Sequence, residues 1–170
     1  FQTISRAGSG SGIVATATQT AQMELLIANN QFIDLDSSSL ALGAYDNSVV
    51  NGSVTNNQFS GPNLAASVAV RLVGDGGGTG NFSGRFVISD NIINGLEQAV
   101  VALSRNTSSG RLDVSILNNN ITTSFNNEES IMLNGVNAGA TLCGNLQGNS
   151  INHTTTFFDD IGILAEGGSQ

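Results

Sequence analysis

Asn30, Asn57, Asn91, Asn119 and Asn149 are each followed two positions later by a large apolar residue: Phe32, Phe59, Ile93, Ile121 and Ile151. The intervals between these asparagines are 27, 34, 28 and 30 residues. A repeat of that length means stacked supersecondary units, because one such unit cannot bury its apolar face alone. This feature constrains the fold more than any other in the chain.

Counting back from each Asn shows what the unit is. Three residues before it stand Ile27, Val54, Ile88, Ile116 and Leu146; five before, Leu25, Gly52, Phe86, Val114 and Gly144; seven before, Met23, Val50, Gly84, Leu112 and Leu142. The positions between are mostly polar, among them Glu24, Asn51, Arg85, Asp113 and Cys143. Apolar and polar residues therefore alternate with the period of a strand that has one buried and one wet face. The segment from Thr16 to Ala28 has a composition compatible with helix, yet Met23, Leu25 and Ile27 alternate, so it reads as strand.

A second apolar run follows each Asn: Leu40–Leu42, Val68–Val70, Val101–Leu103, Ile131–Leu133 and Ile161–Ile163, with an earlier copy at Ile13–Val14. Clusters of Gly, Asn, Asp and Ser separate the runs and favour turns through positive φ and local side-chain bonds. The one proline, Pro62, falls in such a cluster, outside any central strand.

Each repeat thus holds at least two short strands. Copies in register should coil, each strand pairing parallel with its counterpart one turn later at about 4.8 Å. The expected fold is all-β, a parallel β-helix of about five to six coils. The recurrent Asn should occupy the bend after the first strand, its amide bonding to the next in a ladder.

In its Asn-x-Phe/Ile turn after an alternating strand, over roughly Ala21 to Glu166, the chain resembles the right-handed parallel β-helices of the pectate-lyase-like superfamily. Its Gly/Asn/Ser/Thr-rich composition is most similar to bacterial surface and autotransporter-type passenger repeats. The resemblance implies a right-handed coil and says little about activity, since that scaffold carries lyases, hydrolases, phage spikes and adhesins. In the resembling lyases, catalysis uses clustered outward carboxylates holding calcium and a basic residue that abstracts a proton. Here that face offers Glu24, Arg85 and Asp113. Glu24 and Asp113 lie three coils apart, about 14 Å, beyond the roughly 5–9.5 Å of glycosidase carboxyl pairs. The family's catalytic residues therefore do not carry over. Arg85 and Asp113, one coil apart, are expected to form a surface ion pair worth about 0–1 kcal/mol.

Composition narrows the partners. The chain of 170 residues has formal charge −8, with five Arg and no Lys. Phosphate backbones and anionic lipid would be repelled, so nucleic acid is not an expected partner. No apolar stretch is long enough to span a bilayer, and membrane insertion is not expected. One cysteine excludes an internal disulfide framework. Cys143 falls in the outward column with Glu24, Asn51, Arg85 and Asp113, which marks it as a candidate exposed thiol able to cross-link two chains. A slipped register would instead bury it as a small apolar residue.

Little else suggests chemistry. Asp34/Asp36, Glu128/Glu129 and Asp159/Asp160 lack the alternating Asp/Asn–Gly pattern of a calcium loop and read as solvated charge. The run from Gly74 to Gly80 is no phosphate loop, since neither Lys nor helix follows; it is read as the insertion behind the 34-residue interval. His153 is the only histidine, which excludes a His-rich metal site. Neither cofactor nor metal is expected. Sequons begin at Asn51, Asn81, Asn106, Asn120 and Asn152, as chance allows in so Asn-rich a chain.

Residues 1–170 read as one β-helix, a fragment or repeating unit of something longer, with no evident cap at Phe1–Gly12 or Glu166–Gln170. An uncapped coil is a template for pairing. The expected role is an extracellular or cell-surface structural or adhesive element: a rigid stalk, an adhesin or a self-assembling fibre subunit. Its partners would be other copies or neighbouring repeats end to end, and a host surface or polysaccharide. The outward residues Leu26, Val87 and Leu117 offer a lateral contact. The alternative is a carbohydrate-active β-helix, a polysaccharide lyase or hydrolase or a glycan-binding module, using Arg85 and Asp113 with loop residues such as Tyr45.

Overall fold

The computed structural model describes residues 2–5, 11–35, 37–61, 67–77, 80–105, 109–123, 128–136, 139, 141–153 and 160–166. Pro62, Asp36, Asn106 and Asp159 lie outside them. Every regular element among the described residues is a strand. The first coil runs through β1 (Gln2–Ser5), β2 (Ile13–Ala17) and β3 (Gln22–Ala28), and the second through β4 (Asn30–Ile33), β5 (Ser38–Tyr45) and β6 (Val49–Thr55). The third holds β7 (Gln58–Ser60), β8 (Val68–Asp75) and β9 (Ser83–Ser89), and the fourth β10 (Ile92–Leu96), β11 (Gln98–Arg105) and β12 (Arg111–Leu117). The fifth holds β13 (Asn120–Thr123), β14 (Ile131–Val136) and β15 (Thr141–Gln147), with β16 (Ser150–His153) and β17 (Ile161–Glu166) beyond it.

Each strand pairs parallel with the strand three places on, so the chain is a three-faced parallel β-solenoid. Sheet A is β1-β4-β7-β10-β13-β16, sheet B is β2-β5-β8-β11-β14-β17, and sheet C is β3-β6-β9-β12-β15. The sequence shows the strands of sheets B and C; those of sheet A are too short to alternate visibly. They carry the apolar residue after each Asn, and Ile4, Phe32, Phe59, Ile93, Ile121 and Ile151 stack in register. Phe32 and Phe59 lie parallel, ring centroids 4.8 Å apart, which is the strand spacing itself.

The three inward columns of sheet C follow the alignment counted back from the asparagines. Val50, Gly84 and Leu112 pair in register, as do Gly52, Phe86 and Val114, and Val54, Ile88 and Ile116. All but the two glycines join one apolar core that fills the coil. Small residues make room for large ones one rung on. A Cβ at Gly52 would come within 2.6 Å of Phe86 Cδ1, and one at Gly84 within 2.8 Å of Leu112 Cδ1.

Sheet B departs from the reading of its sequence. The inward column is Leu40, Val70, Val100, Ile131 and Ile161. Val101, aligned above with the core run, is therefore one residue out of phase and stands on the opposite face with Arg71 and Met132. Ala99–Leu103 is apolar throughout, so period two has no polar partner to fix its phase. The 34-residue coil is also built differently from the expectation. Relative to the preceding coil its seven extra residues are divided, three between Asn57 and β8 and four between β8 and β9. The Gly74–Gly80 run therefore accounts for only part of the insertion.

The corner between sheets C and A never changes length: one residue and then the ladder Asn follow the last residue of each sheet C strand. That intervening residue is left-handed in all five coils, with φ of 59° at Asn29, 54° at Asn56, 56° at Asp90, 54° at Asn118 and 68° at Gly148. Asn, Asp and Gly are the types that tolerate this region at least cost.

Candidate functional site

The most highly organised polar feature is the corner just described. Its left-handed residue keeps the ladder of main-chain bonds, Asn56 N donating to Ser89 O and Asp90 N to Leu117 O. At the next residue the backbone N–H turns away from any carbonyl, and a side chain supplies the acceptor. Asn30 N and Nδ2 both donate to Asn57 Oδ1 (2.9 and 3.1 Å), and Asn57 does the same to Asn91 Oδ1 (2.9 and 3.2 Å). Asn91 donates to Asn119 Oδ1 (3.0 and 2.9 Å) and Asn119 to Asn149 Oδ1 (2.9 Å for both).

Each amide reaches back as well. Nδ2 of Asn57, Asn91, Asn119 and Asn149 donates to Ile27 O, Val54 O, Ile88 O and Ile116 O one coil earlier. Asn57, Asn91 and Asn119 are only 2, 1 and 1 % exposed. Oxygen and nitrogen of one side chain thus satisfy main-chain groups on the preceding coil, while the nitrogen also bonds the amide oxygen of the next Asn, which makes the corner dry without orphaned donors. The five expected ladder positions form one continuous run. The left-handed column beside it was not among the expectations, although Asn, Asn, Asp, Asn and Gly at that offset carry its signature.

The outward face of sheet C carries a second column of polar side chains. Glu24, Asn51, Arg85, Asp113 and Cys143 lie side by side in register. Cys143 is half-buried. It lies in a surface depression with Arg85, Arg111, Asp113, Ser115 and Asn145. A second depression, sharing Arg85 and Val87, is lined by Glu24, Asn51 and Ser53.

The expected ion pair between Arg85 and Asp113 is absent. Asp113 is taken by Arg111, whose Nε lies 2.9 and 3.0 Å from the two carboxylate oxygens and whose Nη2 lies 2.9 Å from Oδ1. Arg111 sits two residues earlier on the same strand and face, so it reaches the carboxylate with both donors of its fork. Among the described residues neither Glu24 nor Arg85 has a hydrogen bond or ion pair. Tyr45 does not join this face: it lies at the end of β5 in sheet B, in register with Asp75, its ring over Gly43.

The hydrogen bond from Arg111 is the main cause holding the Asp113 carboxyl below the ordinary carboxylate range; partial burial opposes it. A depressed carboxylate stabilises the fold above its unfolded pKa and loses that contribution as pH falls through the folded value. Carboxyl NMR should therefore show Asp113 titrating below a model aspartate, and Arg111→Gln should return it toward the ordinary value. Glu128 shifts the other way, raised first by desolvation and then by Glu97 and Glu129.

Among the described residues no three His, Cys, Asp or Glu side chains converge on a point that could hold a metal ion. No helix there is long and apolar enough to cross a membrane. Compared with protein-family models, with curated proteins and with solved structures, the chain matches none.

Proposed function

We propose that this chain is a structural and adhesive element of an extracellular or cell-surface assembly, a stiff segment whose partners are other copies or neighbouring repeats stacked end to end. A place among the pectate-lyase-like β-helices, in the branch of surface and passenger repeats, belongs to the same reading. The observation that carries it is the unbroken amide ladder from Asn30 to Asn149, running beside a continuous core. Every rung is fixed to the next by main-chain pairing and a side-chain bond, so the coil resists bending and leaves its outer faces free to vary. Parallel in-register stacks with amide ladders are stiff for the same reason.

Negative-stain microscopy of the purified chain across a concentration series tests the reading. Rods of constant width whose length grows with concentration are the expected result. Particles no longer than one solenoid at every concentration, together with turnover of an acidic polysaccharide, would replace it with an enzymatic role.

A further inference from the structure

The outward face of sheet C is complementary to itself. Glu24 and Arg85 are both exposed, stand in one column with Asn51 between them, and make no ion pair or hydrogen bond among the described residues; Arg85 only feels at longer range the Asp113 carboxylate that Arg111 holds. In the next column Leu26, 73 % exposed, and Val87 flank Ser53 in the same order. In the column before them the middle strand carries Val49, 37 % exposed, between Gln22 and Ser83. We infer that two copies of this chain pair face to face through sheet C, with their solenoid axes antiparallel and a two-fold axis running along β6.

That operator keeps each column opposite itself and reverses the order of the coils. Glu24 then meets Arg85 of the second copy and Arg85 meets its Glu24, giving two ion pairs from side chains that form none within their own chain. Leu26 meets Val87, and Val49 and Asn51 each meet their own counterparts. No like charges oppose one another, and no charge is set against an apolar side chain, as an isologous contact requires.

Other registers fail. A two-fold axis along β9 sets Arg85 on Arg85, and one along β12 sets Asp113 on Asp113. An axis along the solenoid, between the two columns, sets Glu24 on Leu26 and Arg85 on Val87. An axis between β9 and β12 offers Arg85 an Asp113 already held by Arg111. Among these, the arrangement centred on β6 alone sets Glu24 against Arg85.

Three strands about 4.8 Å apart and seven residues long present roughly 300 Å² per copy, a contact of the weak, concentration-dependent class. This lateral contact goes beyond the end-to-end role proposed above and is independent of it.

The experiment is sedimentation equilibrium of the whole chain at micromolar to millimolar concentration, with Glu24→Arg and Arg85→Glu as variants. These exposed positions do not touch the core, and circular dichroism confirms the fold of each variant. Wild type should rise from 17.4 kDa toward twice that mass, less so at high salt. Each single variant should weaken association at least tenfold, because its own charges now repel. An equimolar mixture of the two should associate again, because the two arginines of one variant then face the two glutamates of the other. A wild type that stays monomeric, single variants that pair as well as wild type, or a mixture that stays apart would each overturn the inference. Assemblies longer than a dimer that both single variants retain would support end-to-end stacking and also overturn face pairing as the route of association.

Discussion

Replacing Asn91 by alanine should lower the free energy of unfolding by about 3–5 kcal/mol, at about 1–3 kcal/mol for each buried polar group left unsatisfied. The lost side chain serves both neighbouring coils. Its Oδ1 accepts from Asn57 N and Nδ2, and its Nδ2 donates to Val54 O and Asn119 Oδ1. Asn57 N has no second acceptor at hand, and its surroundings are dry. The same change at Asn57 or Asn119 should cost a similar amount, and at the more exposed Asn30 and Asn149 less. Urea denaturation at pH 7 measures the series; equal losses at all five positions would show that the ladder bonds are not what the interior coils depend on.

Asn91→Asp separates shape from hydrogen bonding. The new oxygen would face two acceptors, Val54 O and Asn119 Oδ1, in place of the amide nitrogen that donates to them. A proton on the carboxyl restores one donor, so burial and the facing oxygens push its folded pKa above the unfolded value near 4. The folded state then binds the proton more tightly, and stability declines as pH rises from about 4 toward the folded pKa. The aspartate variant should therefore have its higher urea midpoint at pH 4 once the wild-type change over that interval is subtracted.

Phe86→Ala is the second large effect, at about 3–5 kcal/mol, the usual cost of removing a fully buried phenyl ring. Phe86 is 1 % exposed and its ring covers Gly52 one coil below. Gly52→Leu should also destabilise strongly, by about 3 kcal/mol, because its first carbon already falls 2.6 Å from the ring. Together the two changes should cost less than the sum of the parts by about 1–3 kcal/mol, the added leucine occupying the space the ring vacates. Additive losses in a thermal or urea double-mutant cycle would mean that glycine and ring are not a matched pair.

How far the fold could be read from the residues differs from face to face. In sheet C, Glu24, Asn51, Arg85 and Asp113 interrupt the apolar positions, so alternation alone fixes both strand and register. In sheet B the run Ala99–Leu103 is apolar on both faces, and Val101 could not be told from Val100 by pattern. Val101 is only 3 % exposed although it points outward, so composition records its burial and not its direction. Sheet A's strands are three to five residues long among the described residues, too short for a period to show. The ladder was legible because it depends on one residue type at one offset. Arg111 as the partner of Asp113 was not, because alignment across coils sets Arg85 beside Asp113 and says nothing of a neighbour two residues away on the same strand.

The constant corner between sheets C and A has a mechanical consequence. Tension applied to the two ends loads one outermost rung at a time, because an outermost rung is held on one side alone and an interior rung on both. Releasing a rung frees a coil of about 30 residues, roughly 100 Å of extended chain, and exposes the next asparagine as the new last link. A molecule built this way lengthens under load in discrete steps, and whatever stays coiled keeps its shape.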